Sequence, residues 1–116
     1  MKLRVYIAGP YSASTPRLVA RNVSIAACYA EMVMSRGHAV HCPHTATHEI
    51  AWQAELSGRP IPYERWLDLD LSILEAWATA LFVIADSPGV RREIEAAKAK
   101  GIPIYRGMSE VPEVKP

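Results

Sequence analysis

Short unbroken apolar runs alternate with helix-length amphipathic segments along this chain, and that alternation leaves few folds open. Residues 3–8 read as a buried strand ended by Gly9-Pro10, and 38–42 as a second strand stopped by Pro43. Residues 79–86 (Thr-Ala-Leu-Phe-Val-Ile-Ala-Asp) are the strongest strand signal, and 102–106 the last. Helices are predicted over 15–36, 63–78 and 88–100. Thr15 and Ser87 stand at their caps, Pro16 and Pro88 at the first helical positions, and Gly37 and Gly101 just past the ends. On the first helix Val19, Asn22, Val23, Ala26, Ala30 and Val33 form one stripe. Residues 44–62 read as a short helix and a loop holding Gly58, Pro60 and Pro62, and 107–116 as a tail with two prolines. Strand–helix alternation implies an α/β fold with a parallel sheet of about four to five strands and right-handed crossovers. One domain over 1–106 followed by the tail fits a length of 116 residues.

Such sheets bind ligands outside the carboxyl ends of their strands. The segments to search are therefore 9–15, 43–48 and 86–93. Composition narrows the partners. Lys+Arg 13 against Asp+Glu 12 gives a net charge of +1, so nothing demands a nucleic-acid polymer or an anionic membrane. No apolar run reaches the roughly 20 residues of a membrane span. The N-terminus enters a strand directly, which predicts no signal peptide. Cys28 and Cys42 cannot make a disulfide framework, and a reduced, cytoplasmic chain is the simpler reading.

Two acidic residues break the apolar pattern. At about 100° per residue, Trp66, Leu69, Ile73, Leu74 and Trp77 share a face of the 63–78 helix, and Asp70 falls near its middle. A carboxylate there is costly unless it is paired or faces a cavity. Asp70 is thus either a cap or arginine partner or a ligand-facing acid. Glu93 flanks the Val90, Ile94, Ala97 stripe one to two turns into the last helix. It is either an ordinary solvated residue or, from its place after the third strand, a second ligand-facing acid.

The first loop, Gly9-Pro10-Tyr11-Ser12-Ala13-Ser14-Thr15, is rich in hydroxyls and leads into a helix N-terminus, with Arg17 and Arg21 just beyond. That would suit a phosphate, or merely a capped turn; it is no P-loop and has no Gly-x-Gly-x-x-Gly run. His38, His41, His44 and His48 cluster around Cys42. Their spacing matches no metal signature, so no metal site and no cofactor are assigned. His44 and His48 are placed in the pocket, facing a substrate. Trp52 and Trp66 could stack on a base, although core packing also explains Trp66 and Trp77.

Four segments together resemble the nucleoside 2-deoxyribosyltransferase superfamily, which includes 2′-deoxynucleoside 5′-monophosphate N-glycosidases. They are Val5-Tyr6-Ile7-Ala8-Gly9-Pro10-Tyr11, Gly37-His38-Ala39-Val40-His41-Cys42-Pro43, Asp70-Leu71-Ser72-Ile73-Leu74 and Asp86-Ser87-Pro88-Gly89-Val90-Arg91-Arg92-Glu93. The last is followed by Ala97 and Gly101-Ile102-Pro103-Ile104, so the resemblance spans residues 3–105. It implies a small flavodoxin-like three-layer sandwich. It implies Glu93 as nucleophile in the Gly-x-x-x-Glu turn, Asp70 as the acid that protonates or orients the base, and Tyr11 in the first loop. Members are usually dimers or larger, with a neighbouring subunit completing each site; residues 107–116 could be what reaches a neighbour. The position of Ser87 is commonly an aspartate in the transferases. A serine there could donate to a phosphate that an aspartate would repel, which tilts the expectation toward a 5′-phosphorylated substrate.

The leading expectation is an enzyme that cleaves the N-glycosidic bond of a 2′-deoxynucleoside or its 5′-monophosphate, by hydrolysis or base exchange, through a covalent glycosyl-glutamate. Glu93 and Asp70 would be catalytic, and Gly9, Tyr11, Ser12, Ser14, His44, His48, Ser87 and Gly89 would bind the substrate. The alternatives are a non-catalytic nucleotide-binding or sensing module on the same fold, and a metal-dependent enzyme using His41, His44 and His48.

Overall fold

In the computed structural model, which describes residues 2–115, four strands form one parallel sheet. The strands are β1 (Arg4–Ala8), β2 (Ala39–His41), β3 (Ala80–Val83) and β4 (Ile104–Tyr105), in the spatial order β2-β1-β3-β4. Val5 pairs with both Val40 and Ala80, and Leu81 with Ile104. Four helices cover the sheet: α1 (Pro16–Ser35), α2 (Pro43–Leu56), α3 (Tyr63–Trp77) and α4 (Pro88–Lys100). This is the flavodoxin-like three-layer arrangement, with the central strand β1 at the switch point of the strand order.

Side-chain alternation on the strands separates the two cores. Val5, Ile7, Cys42, Ala80 and Phe82 face α1, where Ala26, Ala30 and Val33 close the layer. Tyr6, Ala8, Leu81 and Val83 face the other way, against Leu74, Ala78, Val90 and Ala97 of the α3 and α4 layer. Both β1 and β3 are buried on both faces, which is why each reads as a continuous apolar run.

The caps form where the sequence puts them. Thr15 Oγ1 accepts from Leu18 N at 3.2 Å and Ser87 Oγ from Val90 N at 3.2 Å. Gly37 and Gly101 end their helices with φ of +96° and +76°, the left-handed region that glycine enters at little cost. At the end of α4 the Lys100 ammonium donates to the carbonyls of Leu74 and Ala78, and so satisfies the last turn of α3 from a neighbouring helix.

Four sequence expectations need correction. Residues 43–56 are one helix of 14 residues, not a short helix, and the loop is confined to residues 57–62. Only Pro43 and His44 of α2 are buried, so apolar periodicity had little to register there. The third strand ends at Val83 rather than 86, because β1 ends at Ala8; the last backbone bond along it runs from Ile84 N to Ala8 O at 2.8 Å. On α3 the inward face is set by Leu67 and Leu74; Leu69 is 41% exposed. Lastly, residues 107–115 are not a free extension but pack on the chain's own sheet. After a 3-10 turn at Met108–Glu110, Val111 enters the α1-side core and is 2% exposed. Arg36 donates to Val111 O at 2.7 Å, Val114 N donates to Arg36 O at 2.8 Å, and His38 Nε2 donates to Pro112 O at 2.6 Å. His38 Nδ1 in turn accepts from Leu3 N at 3.0 Å. The tail therefore closes the amino-terminal end of the sheet.

Candidate functional site

Chain direction decides where a site can form. All four strands point the same way, so the turns after β1, β2 and β3 meet at one edge of the sheet. There the start of α1, one face of α2 along most of its length, the first two turns of α3 and the start of α4 enclose a cleft of about 950 Å³. Its lining includes each of the ten residues that the sequence assigned to catalysis or substrate binding: Gly9, Tyr11, Ser12, Ser14, His44, His48, Asp70, Ser87, Gly89 and Glu93.

Glu93 is 7% exposed, and among the described residues no salt bridge reaches it. Burial pushes its carboxyl up to about 7; the nearby Asp70 charge adds to the rise and the Tyr6 hydroxyl works against it. Asp70 is half-buried, its Oδ1 has no hydrogen-bond partner, and burial pushes it up to about 6. It is neither a loop cap nor an arginine partner. The arginines of this region are used elsewhere: Arg91 pairs with Asp86 at 2.8 Å and Arg92 with Glu64 at 3.4 Å. Two carboxyl groups that titrate around neutral pH thus face one cleft from two helices.

The first loop is held by three contacts. Asn22 Nδ2 donates to Tyr11 O at 3.0 Å, His44 Nε2 donates to Pro10 O at 3.0 Å, and Tyr11 Oη lies 2.9 Å from His48 Nδ1. The bond to Pro10 fixes the His44 tautomer and leaves its buried Nδ1 as an acceptor without a partner. Burial holds the ring below the ordinary histidine range, which keeps it neutral; the Pro10 and Gly9 carbonyls oppose that shift. The two glycines have packing reasons beside any ligand role. A Cβ on Gly9 would lie 3.0 Å from Ile84 Cδ1, and one on Gly89 would lie 3.0 Å from Tyr63 Oη.

Arg17 and Arg21 are exposed and do not line the cleft, so the hydroxyl-rich loop brings no guanidinium with it. The histidines diverge as well. His38 belongs to the tail contact and His41 sits between Tyr6 and Trp77, with ring centroids 5.7 and 6.2 Å away. Among the described residues, no group of three or more His, Cys, Asp or Glu could hold a metal ion. No helix among them is long and apolar enough to cross a membrane.

Three residues escape a reading by pattern. Tyr6 lies inside the first apolar run, yet its fully buried hydroxyl is close enough to Glu93 to influence it, without a strict hydrogen bond to any group. A hydroxyl in a two-sided buried strand was the available signal. Tyr63 stands seven residues before Asp70, on the same helical face, and Glu55 is three after Trp52; both line the cleft.

The fold and the cleft define a single α/β domain with a ligand-sized site at the carboxyl edge of its sheet. Residues 3–107 match a family described as a domain of unknown function, DUF7768, and the chain belongs to that family. No curated protein matches the chain.

Proposed function

We propose that the chain cleaves the N-glycosidic bond of a 2′-deoxynucleoside or its 5′-monophosphate, by hydrolysis or base exchange. The observation that carries this reading is the pair of unpaired carboxyl groups, Asp70 and Glu93, raised to about 6 and about 7 in one cleft. Structural carboxylates are ordinarily stabilised by partners; these are kept near their titration point by burial, as acid–base and nucleophilic groups require.

Glycosidic cleavage develops positive charge at the sugar carbon. Glu93, on the buried floor, supplies an oxygen that bonds to C1′ as the bond to the base breaks. Asp70 gives its proton to the departing base and later takes one from the water or acceptor that releases the sugar. The reactive form holds one proton, on Asp70. Positive charge developing beside Glu93 favours its ionised form and keeps the proton on Asp70. The neutral Nδ1 of His44 is a ready acceptor for a base or sugar donor. The homo-oligomer that goes with this reading would have apolar surface to cover on α2 outside the cleft, where Ile50 and Leu56 are more than half exposed (54% and 65%).

The test is chromatography of released base from the four deoxynucleosides and their 5′-monophosphates, with and without a free acceptor base. Release should appear with the native chain and vanish with Glu93→Gln. Equal release by both proteins would remove Glu93 from the reaction.

A further inference from the structure

The cleft is electrostatically one-sided. Glu55, Asp70 and Glu93 line it, and no lysine or arginine does. Four helix N-termini open onto it: those of α1 and α4 are capped from within, by Thr15 and Ser87, and those of α2 and α3 have no side-chain cap. A phosphate there would meet three carboxyl groups and no fixed cation. The outer wall is aromatic: Trp52, Tyr63 and Trp66. Trp52 and Tyr63 are about half exposed (51% and 53%), leaving ring surface for a ligand. Glu55 follows Trp52 by three residues and so shares its helical face. Deeper in, Glu93 is buried without an ion-pair partner, and the His44 Nδ1 acceptor is orphaned. Aromatic faces joined to carboxylates form a site for a flat cation.

Resting on the glycosidic reading above, we propose that this cleft selects nucleosides that lack a phosphate and carry a positively charged base, as an N-alkylated purine does.

The chemistry closes without an added reactant. A Glu93 carboxylate oxygen bonds to C1′ and the C1′–N9 bond breaks. Its electron pair passes into the cationic ring and cancels the charge, so the base leaves neutral and needs no proton. Water then bonds to C1′, the glutamate leaves as carboxylate, and the water's proton passes to the Asp70 carboxylate. A cation in the cleft also favours the ionised forms of Asp70 and Glu93, so the ligand generates the nucleophile that attacks it.

The test compares 2′-deoxyguanosine, 7-methyl-2′-deoxyguanosine and 2′-deoxyguanosine 5′-monophosphate with the full chain at neutral pH. Spontaneous loss of the methylated base is subtracted with a Glu93→Gln control. The methylated nucleoside should show kcat/KM about tenfold or more above the neutral one, with the monophosphate lowest. Glu55→Gln should narrow that preference. Equal rates on the two nucleosides, or a faster monophosphate, overturn the proposal and leave the glycosidic reading standing. If no base is released from any of the three, the glycosidic reading fails, and calorimetric titration with 7-methylguanosine and guanosine decides the charge preference. Tighter binding of the methylated nucleoside upholds it, and equal binding overturns it.

Discussion

The Tyr6 hydroxyl and the Glu93 carboxyl are buried neighbours behind the cleft, a phenol from the central strand beside an acid from α4. Its dipole pulls Glu93 down while burial pushes it up, and burial prevails. Tyr6→Phe should therefore raise the Glu93 pKa further. In a pH profile of kcat/KM the limb that reports ionisation of the nucleophile should move to higher pH. Stability should change little, since the lost hydroxyl has no strict hydrogen-bond partner. A limb that stays in place would show that the two groups do not communicate.

Glu93 should cost the fold stability at alkaline pH. Its folded pKa, about 7, lies above the ordinary glutamate value of 4.5, so between those values the folded chain holds more protons than the unfolded one. Stability thus falls as pH rises through that window and is flat above it. At one pKa unit per 1.36 kcal/mol, the loss is up to about 3 kcal/mol. Glu93→Gln should match the native chain in denaturant midpoint at pH 4 and exceed it at pH 8. A variant no more stable than native at pH 8 would contradict the burial argument.

Asp70 offers the companion measurement. With groups at about 6 and about 7 in one site, turnover should be bell-shaped in pH and highest between them. Asp70→Asn should slow turnover of neutral-base substrates by about 10²–10⁴-fold. It should also abolish the bell, leaving one limb. A bell unchanged in Asp70→Asn would assign that limb to another group.

Much of this architecture is legible in the chain, for identifiable reasons. Thr15-Pro16, Ser87-Pro88, Gly37 and Gly101 mark helix ends by local backbone chemistry, which tertiary packing does not override. Asp70 and Glu93 stand out because a carboxyl group among apolar neighbours is costly wherever it lies. What stays hidden depends on contacts distant in sequence. The length of α2 is obscured because almost none of it is buried. Tyr6 reads like any core aromatic until Glu93, 87 residues on, is placed beside it. The docking of the tail through Val111 and His38 depends on the shape of the sheet's amino-terminal end, which no periodicity in residues 107–116 records.

His38 ties that end together, and its loss should be felt in stability rather than at the site. Its ring is 4% exposed, accepts from Leu3 N and donates to Pro112 O. His38→Ala leaves both backbone groups without a partner, at about 2–4 kcal/mol in total. Chemical denaturation should show that drop, while ligand affinity at the opposite edge of the sheet stays within about twofold after correction for folded fraction. A loss of affinity without a loss of stability would mean that the two ends are coupled.

Gly89 tests the geometry of the cleft rim by a change of sign. It lies in the first turn of α4 at an ordinary negative φ, so alanine should favour the helix there by up to about 1 kcal/mol. The new Cβ would, however, lie 3.0 Å from Tyr63 Oη. Tyr63 is 53% exposed, so its ring can give way, but in doing so it leaves the aromatic wall. Gly89→Ala alone should thus change stability little and weaken ligand binding. In a Tyr63→Phe background the hydroxyl is gone and the same substitution should stabilise. The coupling energy from the double-mutant cycle should be about 0.5–1 kcal/mol. A cycle that closes to zero would show that the Tyr63 hydroxyl does not rest against the start of α4.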